Sequence, residues 1–401
     1  MPGVPAPAPA TVPVSVPAPV PGSRAASVAF DHVTKRYPGS GAGRPAAVED
    51  LELEVPAGMV CVLVGPSGCG KTTSLKMVNR LIEPTSGRIL IDGQDAAARD
   101  VTELRRSIGY VIQQVGLFPH QTVGENVGTV PRLLGWEGDR RRARTDELLA
   151  LVGLDPAVYR DRYPSGLSGG ERQRVGVARA LAADPPLMLM DEPFGAVDPI
   201  VRERLQNEFL RLQAALAKTV LFVTHDIDEA IKMGDLVAVM EVGGRLAQLG
   251  TPEEILAAPA SDFVARFVGA DRGLKRLALS RVRDLPMRSA VTARAGADAG
   301  AARDRALADA FGYLLLLDDG DRPIGWIERS KIPASGPLAA GLAVPASPFL
   351  DPATTLKDAL SMLLDADVQA GLVVDARGAF QGLVTAEMIA DRLRPAPADA
   401  S

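Results

Sequence analysis

The chain has 401 residues, enough for two or three domains with a buried core in each, and 44 Lys+Arg against 49 Asp+Glu leave a formal charge of −5. That balance offers no global positive field to a polyanion, which argues against nucleic acid as a partner. The two cysteines, Cys61 in an apolar run and Cys69 in a glycine-rich loop, make no disulfide framework and suit a reducing compartment.

Residues 1–27 begin MPGVPAPAPATVPVSVPAPVPGS, and the repeated prolines preclude a helix there. Without a basic start or a continuous apolar centre the segment is no signal peptide; it predicts an extended, disordered Pro/Ala-rich tail. No apolar stretch approaches the roughly 18 to 20 residues needed to span a bilayer, and the strongest, Met59 to Val64, has the size of a strand.

From Val28 onward short β-rich runs alternate with helical stretches, the pattern of an α/β domain with a largely parallel sheet, expected over residues 28–250. Val60 to Val64 predicts a buried strand. Lys71 to Leu81 predicts a helix with Leu75, Val78 and Leu81 on its apolar face. The charged stretch from Gly124 to about Tyr163 predicts an inserted helical subdomain, and strands return at Leu187 to Met190 and Val220 to Val223. Each of those strands ends in polar residues, where α/β sheets place their ligands. Residues 251–283 read as a helical linker into a second unit, 284–395, that contains an internal repeat. Leu314 to Ile327 matches Gly371 to Val384, with Asp318 and Gly325 spaced like Asp375 and Gly382. Helical runs at Asp304 to Phe311 and Leu356 to Leu364 precede the two copies, so each is a small α/β motif and the pair is pseudo-symmetric.

Gly65-Pro66-Ser67-Gly68-Cys69-Gly70-Lys71-Thr72, followed by Thr73, satisfies the P-loop pattern between a strand and a helix. Glycines there let backbone N–H groups and the positive helix end wrap phosphates, with Lys71 on the outer phosphates and Thr72 on magnesium. Leu187 to Pro193 delivers Asp191 and Glu192 at the end of an apolar strand; Asp191 is assigned to the metal and Glu192 to the general base. Together the two motifs predict ATP and Mg2+ as cofactors. Ser168, Gly169 and Gly170 precede a helix beginning ERQRVGVARAL and form a second anion-binding helix end.

These motifs resemble the ABC ATPase family: a P-loop NTPase fold whose two helix ends face each other across a homodimer. The resemblance implies further roles. Tyr37, in KRYPG, would stack on adenine; Gln113, in YVIQQ, would sense metal, water and permease; Asp198, in GAVD, would communicate across the dimer; His225, in FVTHD, would contact the γ-phosphate. Taken singly, Tyr37 reads as a packing residue, Gln113 as a surface amide and His225 as a cap. Their order and spacing from Tyr37 to His225 carry the resemblance. His32 and His120 have no motif role and read as structural.

NRLIEPTSGRILIDG, DEPFGAVDPIVRERLQNEFLRLQ, THDIDEAIKMGDLVAVM and FVGADRGLKRL resemble the importer branch that handles quaternary-amine osmoprotectants such as glycine betaine, choline, carnitine and proline betaine. That implies transmembrane permease subunits as partners, an extracytoplasmic solute-binding protein acting indirectly, and a peripheral place on the cytoplasmic face of the membrane. An importer ATPase for another small solute, such as an amino acid, remains an alternative. A soluble ABC ATPase of translation or repair would carry two cassettes or a long coiled coil, and this chain has one P-loop and no sustained heptads. The repeated C-terminal unit resembles a pair of CBS domains, here degenerate. The second copy keeps Gly382 and Thr385 but has Met388 where a ribose-binding acid is expected; the first has Glu328 and then Lys331.

Overall fold

The computed structural model describes residues 25–38, 45–112, 116–195 and 197–393. The chain divides into two compact units between Gly269 and Ala270. Most of the expected tail lies outside the described residues, but its assigned end is corrected. Ala26 is buried and its N–H donates to Pro186 O at 3.2 Å, so the folded chain begins before Val28.

The first unit opens with β1 (Val28–Lys35), β2 (Val48–Val55) and β3 (Val60–Val64). In β2, Val48, Leu51, Leu53 and Val55 are buried between exposed acids, the alternation of a half-buried strand. The apolar β3 is buried throughout. Helix α1 (Lys71–Val78) follows, shorter than the expected Lys71 to Leu81. It stops because Arg80 turns left-handed, φ 54°, and the N–H groups of Leu81 and Ile82 both return to Lys76 O. Leu81 is left exposed. Next come β4 (Ser86–Ile91), β5 (Gln94–Asp95), α2 (Val101–Ser107) and β6 (Ile108–Val111).

The expected helical insertion is four helices: α3 (Val123–Val127), α4 (Thr129–Leu133), α5 (Gly138–Leu151) and α6 (Pro156–Tyr159). Asn126, fully buried, accepts from Phe118 N and donates to the carbonyls of Phe118, Gln121 and Thr122, pinning the loop before α3. Then follow α7 (Gly169–Leu181), β7 (Leu187–Asp191), α8 (Pro199–Leu216), β8 (Thr219–Thr224), α9 (Ile227–Met233), β9 (Leu236–Glu241) and β10 (Arg245–Gly250).

Among the described strands of this unit two sheets form. β2-β1-β4-β5 is antiparallel; the main sheet runs β10-β9-β3-β8-β7-β6, parallel except for β10 on β9. Apolar residues pack on both faces of the main sheet. Val60, Val62 and Val64 point to one side with Met190, Phe222 and the helical residues Val123, Leu148 and Leu149; Cys61 and Leu63 point to the other with Leu75, Phe30 and Leu189. The register places Val64 beside Thr224 and Asp191 beside Val223, so β3, β8 and β7 end at one edge of the sheet.

The span 251–283, expected as a linker, is divided between the units. Helices α10 (Pro252–Ala257) and α11 (Asp262–Val268) bury Ile255, Leu256, Val264 and Val268 in the first unit's core. Helix α12 (Arg272–Leu279) buries Leu277 in the second.

The second unit repeats one motif. β11 (Val291–Arg294), α13 (Ala299–Ala308), β12 (Tyr313–Leu317) and β13 (Pro323–Glu328) form the first copy, followed by the short β14 (Val344–Pro345). β15 (Phe349–Leu350), α14 (Leu356–Leu364), β16 (Ala370–Val374) and β17 (Phe380–Thr385) form the second, and α15 (Ala386–Asp391) ends it. In each copy the first strand is parallel to the second and the second antiparallel to the third; Leu316 faces Gly325 as Val373 faces Gly382. Asp318 accepts from the N–H groups of Gly320 and Arg322, and Asp375 from those of Arg377 and Ala379, which explains the shared seven-residue spacing as one side-chain-closed hairpin. The first copy's helix is Ala299–Ala308, not Asp304 to Phe311. Asp298 caps it early by accepting from Gly300 N, and Phe311 leaves it to pack on Tyr313 and Trp326.

Candidate nucleotide site

The loop after β3 is built around backbone that only glycine tolerates. At Gly70 φ is 96°, and a Cβ would lie 2.3 Å from Ala47 O. The loop thus packs against the strand start at Ala47 while Ser67 and Gly68 stay exposed to solvent. Lys71 is buried, and its Nζ donates to Gly65 O at 2.7 Å and Pro66 O at 3.0 Å, with Cys69 Sγ 3.6 Å away. The ammonium is therefore held inside the loop whose N–H groups would face a phosphate.

Thr72 Oγ1 donates to Asp191 Oδ1 at 2.9 Å, joining the P-loop helix to the end of β7. Burial pushes the Asp191 carboxyl above its ordinary range, with the Thr72 hydroxyl pulling the other way. Hydroxyl and carboxylate oxygen side by side are the hard donors that magnesium prefers. The next residue turns away: Glu192 has φ 44°, and its N–H donates to Val223 O at 2.9 Å. Adjacent acids thereby serve different neighbours, for Glu192 Oε1 lies 3.2 Å from Nδ1 of His225, just beyond β8. Glycine loop, acid pair and His225 are brought to one sheet edge.

A second group gathers elsewhere in the first unit. Ser168 caps α7 in a reciprocal box: its hydroxyl accepts from Glu171 N at 3.3 Å, and Glu171 Oε2 accepts from Ser168 N at 2.7 Å. The Tyr159 hydroxyl donates to Glu171 Oε1 at 2.7 Å. This bond first, then those from Ser168, hold the Glu171 carboxyl at about 2. Asp198 caps α8 by accepting from Val201 N at 3.1 Å. Ser168, Gly169, Gly170, Asp198 and Val201 line one cleft, where a Cβ on Gly170 would come within 3.2 Å of Val201.

Tyr37 is 44% exposed, with Lys35 Nζ 5.3 Å from its ring centre. Gln113 lies outside the described residues. His32 pairs with Asp50 at 2.9 Å on the surface, a structural contact. Two contributors escaped sequence reasoning. Glu171 carries a visible signal, the Ser-x-x-Glu spacing of a capping box; Tyr159 carries none, since it meets Glu171 only through folding. Among the described residues no helix is long and apolar enough to cross a membrane.

A strand-borne glycine loop whose following helix is hydrogen-bonded to an acid two strands away, with a separate glycine-bearing helix start in the same unit, is the architecture of an ATP-binding cassette, and the ABC transporter family model matches residues 48–195. The dimeric structure of a bacterial ABC transporter cassette superposes with a TM-score of 0.51 at 34% identity, covering 56% of this chain and 98% of that one. Two longer relatives narrow the class. The osmoprotectant import ATP-binding protein OsmV of Salmonella typhimurium is 44% identical over 375 residues, 91% of this chain and 96% of the relative. The glycine betaine/carnitine/choline transport ATP-binding protein OpuCA of Bacillus subtilis is 43% identical over 365 residues, 90% and 94% of the two chains. The chain belongs to this family of ABC transporter ATP-binding subunits, and it is an ATPase.

Proposed function

We propose that the protein hydrolyses ATP as a homodimer bound peripherally to the cytoplasmic face of the membrane. There it powers import of a quaternary-amine osmoprotectant through permease subunits, with an extracytoplasmic solute-binding protein acting indirectly. The solute class rests on what the relatives OsmV and OpuCA are named for. The catalytic reading rests on one observation: the register of β3, β8 and β7 carries Lys71, Thr72, Asp191, Glu192 and His225 to the same edge.

Backbone N–H groups from Gly65 to Thr73, Pro66 excepted, cradle the phosphates, Lys71 exchanges loop carbonyls for phosphate oxygens, and Tyr37 stacks on adenine. Thr72 and Asp191, with Gln113, would hold magnesium, which when bound would neutralise charge on the phosphates. Glu192 takes the proton of the attacking water, and His225, bonded to it, orients toward the γ-phosphate. The cleft of Ser168, Gly169, Gly170 and Asp198 is a second half-site, so a second copy of the chain completes each nucleotide site. In the second unit we read a degenerate CBS-like pair. Where a ribose-binding acid would stand, Lys331 lies 3.4 Å from Glu328, and Met388 N donates to Thr385 Oγ1.

Glu192→Gln tests the catalytic assignment. Loss of a positioned base costs about 100- to 10,000-fold in turnover while nucleotide binding persists. Near-normal hydrolysis by that variant would sink the assignment. The solute class is tested with the co-encoded permease and binding protein, where glycine betaine, choline or carnitine should accelerate turnover and amino acids should not.

A further inference from the structure

Between α8 and α9 a carboxylate is buried. Glu229 is 8% exposed, and it accepts from Gln206 Nε2, itself 6% exposed, at 3.0 Å; the adjoining Leu205 and Ala230 belong to the main core. Burial pushes its carboxyl above the ordinary range; the nearby Thr224 hydroxyl and the Gln206 amide oppose this. Asp226 and Arg202 add charges of opposite sign nearby. A buried carboxylate accepting from a neutral amide is a poor source of stability, since apolar residues of similar volume are often as good. What it supplies is direction: hydrogen bonds fix a geometry that an apolar contact leaves free to slide.

One direction it fixes ends at the sheet edge that carries His225 and Glu192, the other at the cleft that carries Asp198. On one side, Thr224 is the residue before His225, and it also accepts from Asp226 N at 3.1 Å; Asp226 in turn accepts from the N–H groups of Asp228 and Glu229. His225 is thus held from both flanks by groups that lead to Glu229, and it faces Glu192 at 3.2 Å. On the other side, Gln206 rides on the helix that Asp198 caps, and Arg202, one turn before it, donates to Val197 O at 3.0 Å, next to Asp198.

We propose that Glu229 is a positioning residue for hydrolysis, locking the His225 loop and the Asp198 helix into one arrangement through α9, which Asp226 caps, and through Gln206. The proposal rests on the roles of Glu192, His225 and Asp198 given above. Through it, a displacement of α8 at the dimer-facing cleft reaches the γ-phosphate side of the same chain.

The test is steady-state ATP hydrolysis by the full-length protein, with thermal midpoints measured alongside. Glu229→Gln removes the charge and one of the two acceptor oxygens, and its new NH2 can take up the remaining position against Gln206; Gln206→Leu removes the donor outright. In each, kcat falls about tenfold with KM within about twofold, because misplacing a catalytic group by a fraction of an ångström slows the chemical step without weakening ATP binding. The exchanged pair, Glu229→Gln with Gln206→Glu, re-forms the carboxylate–amide bond and returns kcat to within about threefold of the parent. Should Glu229→Gln fold poorly, Gln206→Leu and the exchanged pair carry the comparison. Lower melting temperatures with parental kcat would overturn the proposal, as would a folded exchanged pair that fails to recover. Glu192→Gln, run in parallel, separates the two readings. If it is inactive while the Glu229 and Gln206 variants are normal, only the positioning role falls; if it is active, the site assignment falls first.

Discussion

Replacing Glu171 with glutamine removes a charge while keeping the shape of the box that caps α7. The carboxyl sits at about 2, held there by the Tyr159 hydroxyl first and then by the Ser168 backbone and side chain. Against the ordinary value of 4.5 for a free glutamate, that depression would correspond to about 3 kcal/mol if it were all stability. The carboxylate is partly open to solvent, so screening reduces the figure to about 1 to 1.5 kcal/mol. The sign follows from a depressed pKa. The stabilisation is complete above about pH 4.5, where unfolded Glu171 is ionised, and is lost as pH falls through about 2. Hydrogen exchange of the amides in Gly169–Leu181 reads the local opening. At pH 7 Glu171→Gln should exchange about five- to tenfold faster than the parent, after correction for intrinsic rates, and the two should converge near pH 2. Tyr159→Phe, which removes one donor of three, should show a smaller deficit with the same pH profile. A deficit independent of pH, or none at pH 7, would refute the attribution to the charged box.

Lys71→Ala should weaken ATP binding, since a charge-assisted contact contributes about 1.5 to 3 kcal/mol; equilibrium titration with a fluorescent ATP analogue measures it, and parental affinity would discount the lysine. Ser168→Arg should leave that titration unchanged but block hydrolysis. Mixing it with Lys71→Ala should restore partial activity if sites are shared between two chains, and no restoration would count against sharing. The fragment 270–401, which retains Leu277 in its core, should bind AMP and ATP weakly by calorimetry, because two ribose hydrogen bonds at about 0.5 to 1.5 kcal/mol each are missing. Micromolar binding would show that Lys331 and Met388 do not matter.

What could be read in advance was contiguous in the chain. The P-loop, the acid pair after an apolar run and the Ser-Gly-Gly helix start each compress a local backbone geometry into a few adjacent residues, so the class of site was visible before folding. Element ends were less so: nothing in the apolar spacing of Leu75, Val78 and Leu81 shows that Arg80 turns left-handed, and the helix of the first repeat is placed by Asp298, a cap outside the expected run. Least legible were contacts between distant segments. Tyr159 meets Glu171 across 12 positions and Gln206 meets Glu229 across 23, separations at which a residue's neighbours are decided by packing.

The helices from Val123 to Tyr159 are an insertion in the chain but not a separate body in the core. Val123, Val127, Leu148, Leu149 and Leu154 share a single apolar cluster with Val62, Val64, Met190 and Phe222 of the main sheet. Close-packed interiors yield little and do not flow. A pull on those helices therefore arrives as a lateral load on β3 and β7, the two strands whose ends carry the glycine loop and Asp191. The inserted helices and the strand ends that carry the glycine loop and Asp191 thus rest on one continuous apolar core.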